Sequence, residues 1–286
     1  MNQNRSIIDL LRTQLKKEES LPVLSKNSLG LQNEVIKKDP DLKKIEKMIK
    51  TDPSVTGHVL KMANSPFYRG LDQIATIKEA ILRLGSVELG NLILQAVHKK
   101  NFQSRDPFIR LHQQKLLNHS ILCAMGSFWT AKHLDLDDLV QQSFIAGLLH
   151  DMGKLYLLTA FEKMKTNNVM ENQPPSTLVE QIIARLHPKL GHELISHWNL
   201  PESLCRIAGD HHSPEFDRND ILLALVRCVD QVCNKMERGN REEETAMIAS
   251  SAEADILGIS EIGLAEMEIA IEDYQEKLGL KKKAKA

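Results

Sequence analysis

The sequence predicts an all-α protein. Three observations carry that prediction. Apolar residues recur at helical spacing along most of the chain, and Asp, Thr and Ser caps open those stripes while Gly and Pro close them. No segment alternates apolar and polar residues or carries an Asn-Gly or Asp-Gly hairpin turn.

The elements follow in order. Leu42, Ile45, Met48 and Ile49 form one stripe, with Asp39 placed to cap it and Pro40 suited to the first helical position, where its missing N–H is harmless. Asp52 and Pro53 repeat the device ahead of Val55, Val59, Leu60 and Met62, and Pro66 and Gly70 end that run. Thr76 and Glu79 form a capping box, and Gly85 closes the helix they open. A helix over 86–100 follows, then a long one from Pro107 to His133, then one from Asp137 or Asp138 to His150. Thr177 and Glu180 read as a second capping box, and Pro201 opens the helix that precedes His211 and His212. Residues 220–236 form an apolar stripe, and Ser260 caps a last helix. Residues 237–255 are polar and small, suited to a linker or a surface helix, and the basic tail KKKAKA frays. No repeat of fixed period suggests a solenoid.

Composition narrows the function. The 286 residues suit one large domain or two, 42% are hydrophobic, and 37 Lys+Arg stand against 38 Asp+Glu. A net charge of −1 argues against nucleic acid as a partner, and 4% aromatics leaves few stacking platforms for single strands. No signal-peptide pattern opens the chain and no apolar run approaches a membrane span, so the expected location is the cytoplasm. Cys123, Cys205, Cys228 and Cys233 lie in apolar stretches with no Cys-x-x-Cys pair, which reads as buried free thiols in a reducing compartment.

Histidine is abundant, at 11 residues. His150 and Asp151 end the apolar run SFIAGLLHD, where a charged carboxylate needs a cation or a partner. Asp230 sits in an apolar helix and makes the same demand. His211 and His212 are adjacent and serve one centre only where their helix ends or where a cluster holds more than one metal. With His119 and His187 they form a set suited to first-row transition metals. His58, His98, His112 and His133 read as helix-surface residues, and Asn64 as a helix C-cap.

These residues carry a resemblance. The order His119, His150-Asp151, Asp230, with LLHDMGK around the doublet, resembles the HD metal-dependent phosphohydrolase superfamily. His187 in HPKLG and the His211-His212 pair resemble its HD-GYP branch, which hydrolyses cyclic dinucleotides. The N-terminal half is similar to the narrower HDOD (HD-related output domain) family. The matching stretches are LPVL at Leu21, DPSVTGHVLKMANSPFY over 52–68 and TIKEAILRLGSVELGNLIL over 76–94. The resemblance implies an HD-type helical core, 106–236, behind an N-terminal helical bundle, 1–105, with a linker and C-terminal helix over 237–286.

It further implies a bacterial signalling module that works through a protein partner. Many HDOD members lack the metal ligands, but here His119, His150, Asp151, His187, His211, His212 and Asp230 all match ligand positions of active relatives. The implied cofactor is a divalent transition metal, iron or manganese, with a binuclear site left open. Asp151 would bridge the ions, and Lys154 would contact a nucleotide or phosphoester ligand while activated water attacks phosphorus. Two departures are plain: no Gly-Tyr-Pro follows the His pair, and Lys115 stands where trinuclear relatives carry an acid, repelling a third ion.

Overall fold

A computed structural model of the chain describes residues 7–15, 26–35, 37, 39–65, 68, 73–99, 102–167, 169, 174–239 and 242–277. The LPVL stretch, Pro66, Gly70 and the basic tail lie outside these. The described residues form helices and no strand: α1 (Ile7–Leu15), α2 (Lys26–Val35), α3 (Leu42–Lys50), α4 (Pro53–Ala63), α5 (Ile77–Lys99), α6 (Pro107–His133), α7 (Val140–Leu149), α8 (Met152–Thr166), α9 (Ser176–His197), α10 (Glu202–Asp210), α11 (Ile221–Arg238), α12 (Glu242–Ala249), α13 (Ala252–Leu257) and α14 (Glu261–Lys277).

Three starts are set by capping side chains that the sequence singles out, Asp52, Thr76 with Glu79, and Ser260, and Asp220 is a further cap. Glu79 N donates to Thr76 Oγ1 at 3.2 Å and Thr76 N to Glu79 Oε2 at 3.0 Å, which closes the reciprocal box that opens α5. Asp52 accepts from Val55 N at 3.2 Å, and Asp220 from Leu223 N at 3.0 Å. Ser260 accepts from Gly263 N at 3.3 Å. Gly85, at φ 74 and ψ 174, breaks α5 at the expected place, in a conformation that a side chain would oppose.

Two caps differ from expectation. α3 is capped by Asp41, which accepts from Lys43 N and Lys44 N at 3.0 Å each, and not by Asp39. Glu34 Oε1 takes the Asp41 N–H, which leaves Pro40 ahead of the helix. No side chain caps α9, so Thr177 and Glu180 form no box; Pro175 at φ −53 precedes the first helical residue instead, and Glu180 lies 3.6 Å from His112. Residues 242–257, within the polar stretch, form α12 and α13.

The chain folds into two compact units that exchange segments. One takes residues 1–23, 101–117 and 149–216; the other takes 24–100, 118–148 and 217–286. In the first, α1 packs on α8, α8 on α9 and α9 on α10. Leu155, Leu158, Phe161, Ile183, Leu194 and Leu204 fill its core. α8 and α9 meet with almost no space between backbones. A Cβ built on Gly153 would fall 1.9 Å from the His187 carbonyl oxygen.

In the second unit, α3, α4 and α5 pack together, and α11 contacts α12, α13 and α14. Phe128 and Phe144 join α6 to α7 edge to face, with ring centroids 6.4 Å apart. The buried Arg227–Glu253 pair, 2.7 Å, ties α11 to α13. Asn64 donates to the Leu60 and Ile74 carbonyls and accepts from Ile74 N, so it clamps the segment after α4 as well as ending the helix.

Two surface expectations change. His98 is 1% exposed, because the second half of α5 is buried on all sides. His58 is half-buried, and burial pushes its pKa down to about 4, helped by Lys99 and Lys61. By length and composition α5 could cross a membrane, but 56% of the qualifying window is buried inside the fold.

Candidate metal-binding sites

His150 and Asp151 occupy the turn between α7 and α8, with both side chains at 0% exposure. Asp151 Oδ2 lies 2.6 Å from Lys154 Nζ and 3.4 Å from His150 Nε2. Asp151 Oδ1 faces the other way, 3.4 Å from His187 Nε2 and 3.3 Å from His211 Nε2. His187 comes from mid-α9, and His211 is the C-cap of α10. His212 is exposed beside them, its ring centroid 4.1 Å from that of His211. The pair can serve one cluster because α10 ends at Asp210. Donor atoms of Asp151, His187, His211 and His212 all lie within 4.8 Å of one another.

The backbone decides which ring nitrogens face inward. His187 Nδ1 lies 2.9 Å from the Ile183 carbonyl and 3.1 Å from that of Ala184. His211 Nδ1 lies 3.0 Å from the Ile207 carbonyl and 3.1 Å from that of Ala208. Carbonyls only accept, so each Nδ1 carries a hydrogen and each Nε2 turns inward, where in the neutral ring it offers a lone pair. The two Nε2 atoms are 3.3 Å apart, and a carboxylate oxygen faces both. Two ring nitrogens and a carboxylate oxygen thus converge at short range, a donor set that a cation would hold together.

Both carbonyls are available for a local reason. Pro188 has no N–H, so the Ala184 carbonyl four residues earlier lacks its helical partner and accepts from the His187 ring. The Ala208 carbonyl sits in the last turn of α10, where helical donors run out, and the Ile207 carbonyl accepts from the His211 backbone N–H as well as facing the ring. Replacing Pro188 with Ala restores a competing N–H. The expected result is metal affinity lowered roughly tenfold with no loss of thermal stability, read by competitive metal titration and a melting curve. Unchanged affinity would remove Pro188 from this role.

The electrostatics match. Burial works to raise the Asp151 pKa, but the Lys154 ammonium, and then His150, outweigh it and hold the carboxyl well below the usual range. Burial pushes His187 down to about 3; Lys154 and His211 add to this against the pull of Asp151. The ring is neutral at pH 7 and fit to ligate.

His119 and Asp230 form a second cluster, in the other unit. His119 Nε2 on α6 lies 3.0 Å from Asp230 Oδ1 on α11, and His119 Nδ1 lies 3.0 Å from Glu237 Oε1. Asn234 donates to Asp230 Oδ1 at 2.8 Å, and Cys123 Sγ approaches His119 Nε2 at 3.5 Å. All four cysteines are free and buried, as expected. Cys123 is not among the expected ligands, although its place four residues after His119 puts both on one helix face. Glu237, assigned by sequence to the linker, was missed as well. Lys115 is exposed.

Comparison with known proteins follows the same lines. The HDOD domain family matches residues 21–214. A crystal structure of an HDOD domain protein of unknown function from Geobacter sulfurreducens superposes with a TM-score of 0.69 at 19% identity, covering 96% of each chain. A protein of Shewanella amazonensis SB2B, provisionally named a phosphohydrolase, superposes with a TM-score of 0.68 at 20% identity, covering 95% of this chain and 97% of that one. An uncharacterised protein of Treponema pallidum (strain Nichols) is 26% identical over 199 residues, which are 68% of this chain and 38% of that relative. The chain therefore matches well under half of that relative's length.

Proposed function

The chain belongs to the HDOD domain family, and from that premise we propose that it holds a divalent transition metal at Asp151, His187, His211 and His212 and hydrolyses a phosphoester there. The observation that supports this most is the meeting of two inward imidazole lone pairs with one carboxylate oxygen. Mixed nitrogen and oxygen donors suit iron(II) or manganese(II). The His119–Asp230 cluster offers a second cation position in the other unit. The name of the Shewanella protein of like fold agrees with the reading.

A bound divalent cation would act as Lewis acid toward a phosphoryl oxygen and as activator of water. The chain's own groups do the rest. The His187 and His211 rings, held by their helix carbonyls, fix the direction of attack. Lys154 is 27% exposed and reaches solvent from its contact with Asp151, so its ammonium can turn to a phosphoryl oxygen as charge develops. His212 lines the exposed side, where a ligand would enter.

Protein purified without chelator and loaded with manganese(II) or iron(II) is expected to hydrolyse an activated phosphodiester such as bis(p-nitrophenyl) phosphate. Lys154→Ala is expected to slow it about 10²–10³-fold with unchanged metal content. Loaded protein inert toward phosphodiesters, phosphomonoesters and nucleotides would defeat the hydrolase reading.

One observation favours a second reading, a signalling output through protein contact. Met247 on α12, and Ile262 and Ile269 on α14, are 72%, 73% and 62% exposed. On that reading the metal braces the fold, and charged substitutions on this face abolish the output while metal content stays unchanged.

A further inference from the structure

We propose that Cys123 is a thiolate ligand to a cation held with His119 and Asp230. This rests on the reading above that the chain binds transition metals, and it assigns to one cluster a donor of a different chemical kind.

Cys123 is 0% exposed and sits four residues after His119 on α6, so both side chains share a helix face. Its Sγ lies 3.5 Å from His119 Nε2, the atom that Asp230 Oδ1 approaches at 3.0 Å from α11. Sulfur, nitrogen and oxygen therefore meet around one point. Carboxylates flank both ring nitrogens, Glu237 Oε1 at 3.0 Å from Nδ1 and Asp230 Oδ1 at 3.0 Å from Nε2; with the Nδ1 hydrogen held by Glu237, a cation that takes the place of any hydrogen on Nε2 would meet that nitrogen beside Cys123 and Asp230. A carboxylate that orients a ligating imidazole from behind is the usual support of a metal-bound histidine.

The backbone under Cys123 is held firmly. A Cβ on Gly147 would stand 2.6 Å from the Cys123 carbonyl oxygen and 2.8 Å from Ser127 Oγ, so α7 presses on α6 at this residue. A buried thiol serving only as filler gains nothing from a place beside an imidazole nitrogen and a carboxylate whose donor atoms all lie within 4.8 Å. A thiolate there completes an N, O and S donor set that suits zinc, cobalt(II) and ferrous iron, and disfavours manganese. On coordination the sulfur–metal bond forms and the thiol proton leaves to solvent.

Cobalt(II) titration of the full chain, followed by absorption spectroscopy and metal analysis, tests this. The intense near-ultraviolet thiolate-to-cobalt charge-transfer band is expected to grow to saturation in the wild-type protein. It is expected to vanish in Cys123→Ser and to persist in Cys205→Ser, Cys228→Ser and Cys233→Ser. Should Cys123→Ser not fold, X-ray absorption of the zinc-loaded wild-type protein decides, with a sulfur scatterer about 2.3 Å from zinc expected. Bound cobalt without the band, zinc without a sulfur neighbour, or a band that survives Cys123→Ser would overturn the role of Cys123 and leave the metal reading standing. Failure of the wild-type protein to take up either metal would overturn both.

Discussion

Asp151→Asn is expected to abolish metal binding at the α8–α10 cluster while leaving the metal-free protein about as stable as before. With both rings neutral, the wild-type carboxylate oxygen faces two imidazole lone pairs at 3.3 and 3.4 Å, which is unfavourable until a cation enters. An Asn amide presents N–H donors to the same lone pairs and relieves that repulsion. Against this stands the loss of the 2.6 Å contact with the Lys154 ammonium, a group partly in water and so screened. The two effects oppose each other and largely cancel. Metal shows the difference. A cation at 100 times its dissociation constant stabilises the wild-type protein by about 2.7 kcal/mol through that site, and the variant should gain nothing there. Melting curves with and without metal, with bound equivalents counted, read both quantities. A variant that binds as many equivalents as wild type would contradict the assignment.

Gly153→Ala has the larger effect on folding. The added Cβ would meet the His187 carbonyl oxygen at 1.9 Å and Gly191 N at 2.7 Å, and both are backbone atoms that no rotamer change can move. α8 and α9 must separate, at a cost of at least about 3 kcal/mol, and Asp151 then moves away from His187. Gly191→Ala should cost far less, because its nearest neighbour would be the Ala208 Cβ at 3.3 Å. Gly57→Ala, on exposed α4 with nothing within 4 Å, should stabilise by about 0.5–1 kcal/mol through helix propensity. Urea denaturation of the three variants gives the ranking. Equal midpoints for Gly153→Ala and Gly191→Ala would contradict the close approach of α8 and α9.

The parts of the fold legible in the sequence are those where one-sided burial leaves a stripe. α3, α4, α11 and α14 announce themselves by periodicity, and the Thr76–Glu79 box and Gly85 mark boundaries by local chemistry. α8 is the counterexample. Nine of its fifteen residues are buried, spread around the helix, so 152–166 carries no one-sided pattern and no element was assigned there. The choice between Asp39 and Asp41 as cap turned on Glu34, a residue outside the local window. Thr177 and Glu180 have the right spacing, but Pro175 starts α9 without them.

The candidate sites divide the same way. His150, Asp151 and Asp230 stand out as polar residues in apolar runs, and the family resemblance adds His119, His187, His211 and His212. The ring orientations could not be read, since they depend on Pro188 vacating the Ala184 carbonyl and on α10 ending at Asp210. Cys123 and Glu237 join the second cluster only once α6 and α11 are packed, and spacing alone does not supply that packing.

The central claim is that the inward Nε2 lone pairs of His187 and His211 and the Asp151 carboxylate hold a cation. An anomalous-difference map from crystals of the manganese-loaded protein tests it most directly. The prediction is a strong peak at bonding distance from all three donors, with both Nδ1 atoms still on their helix carbonyls. A map empty at that point, with His187 and His211 turned to donate from Nε2 to Asp151, would contradict it.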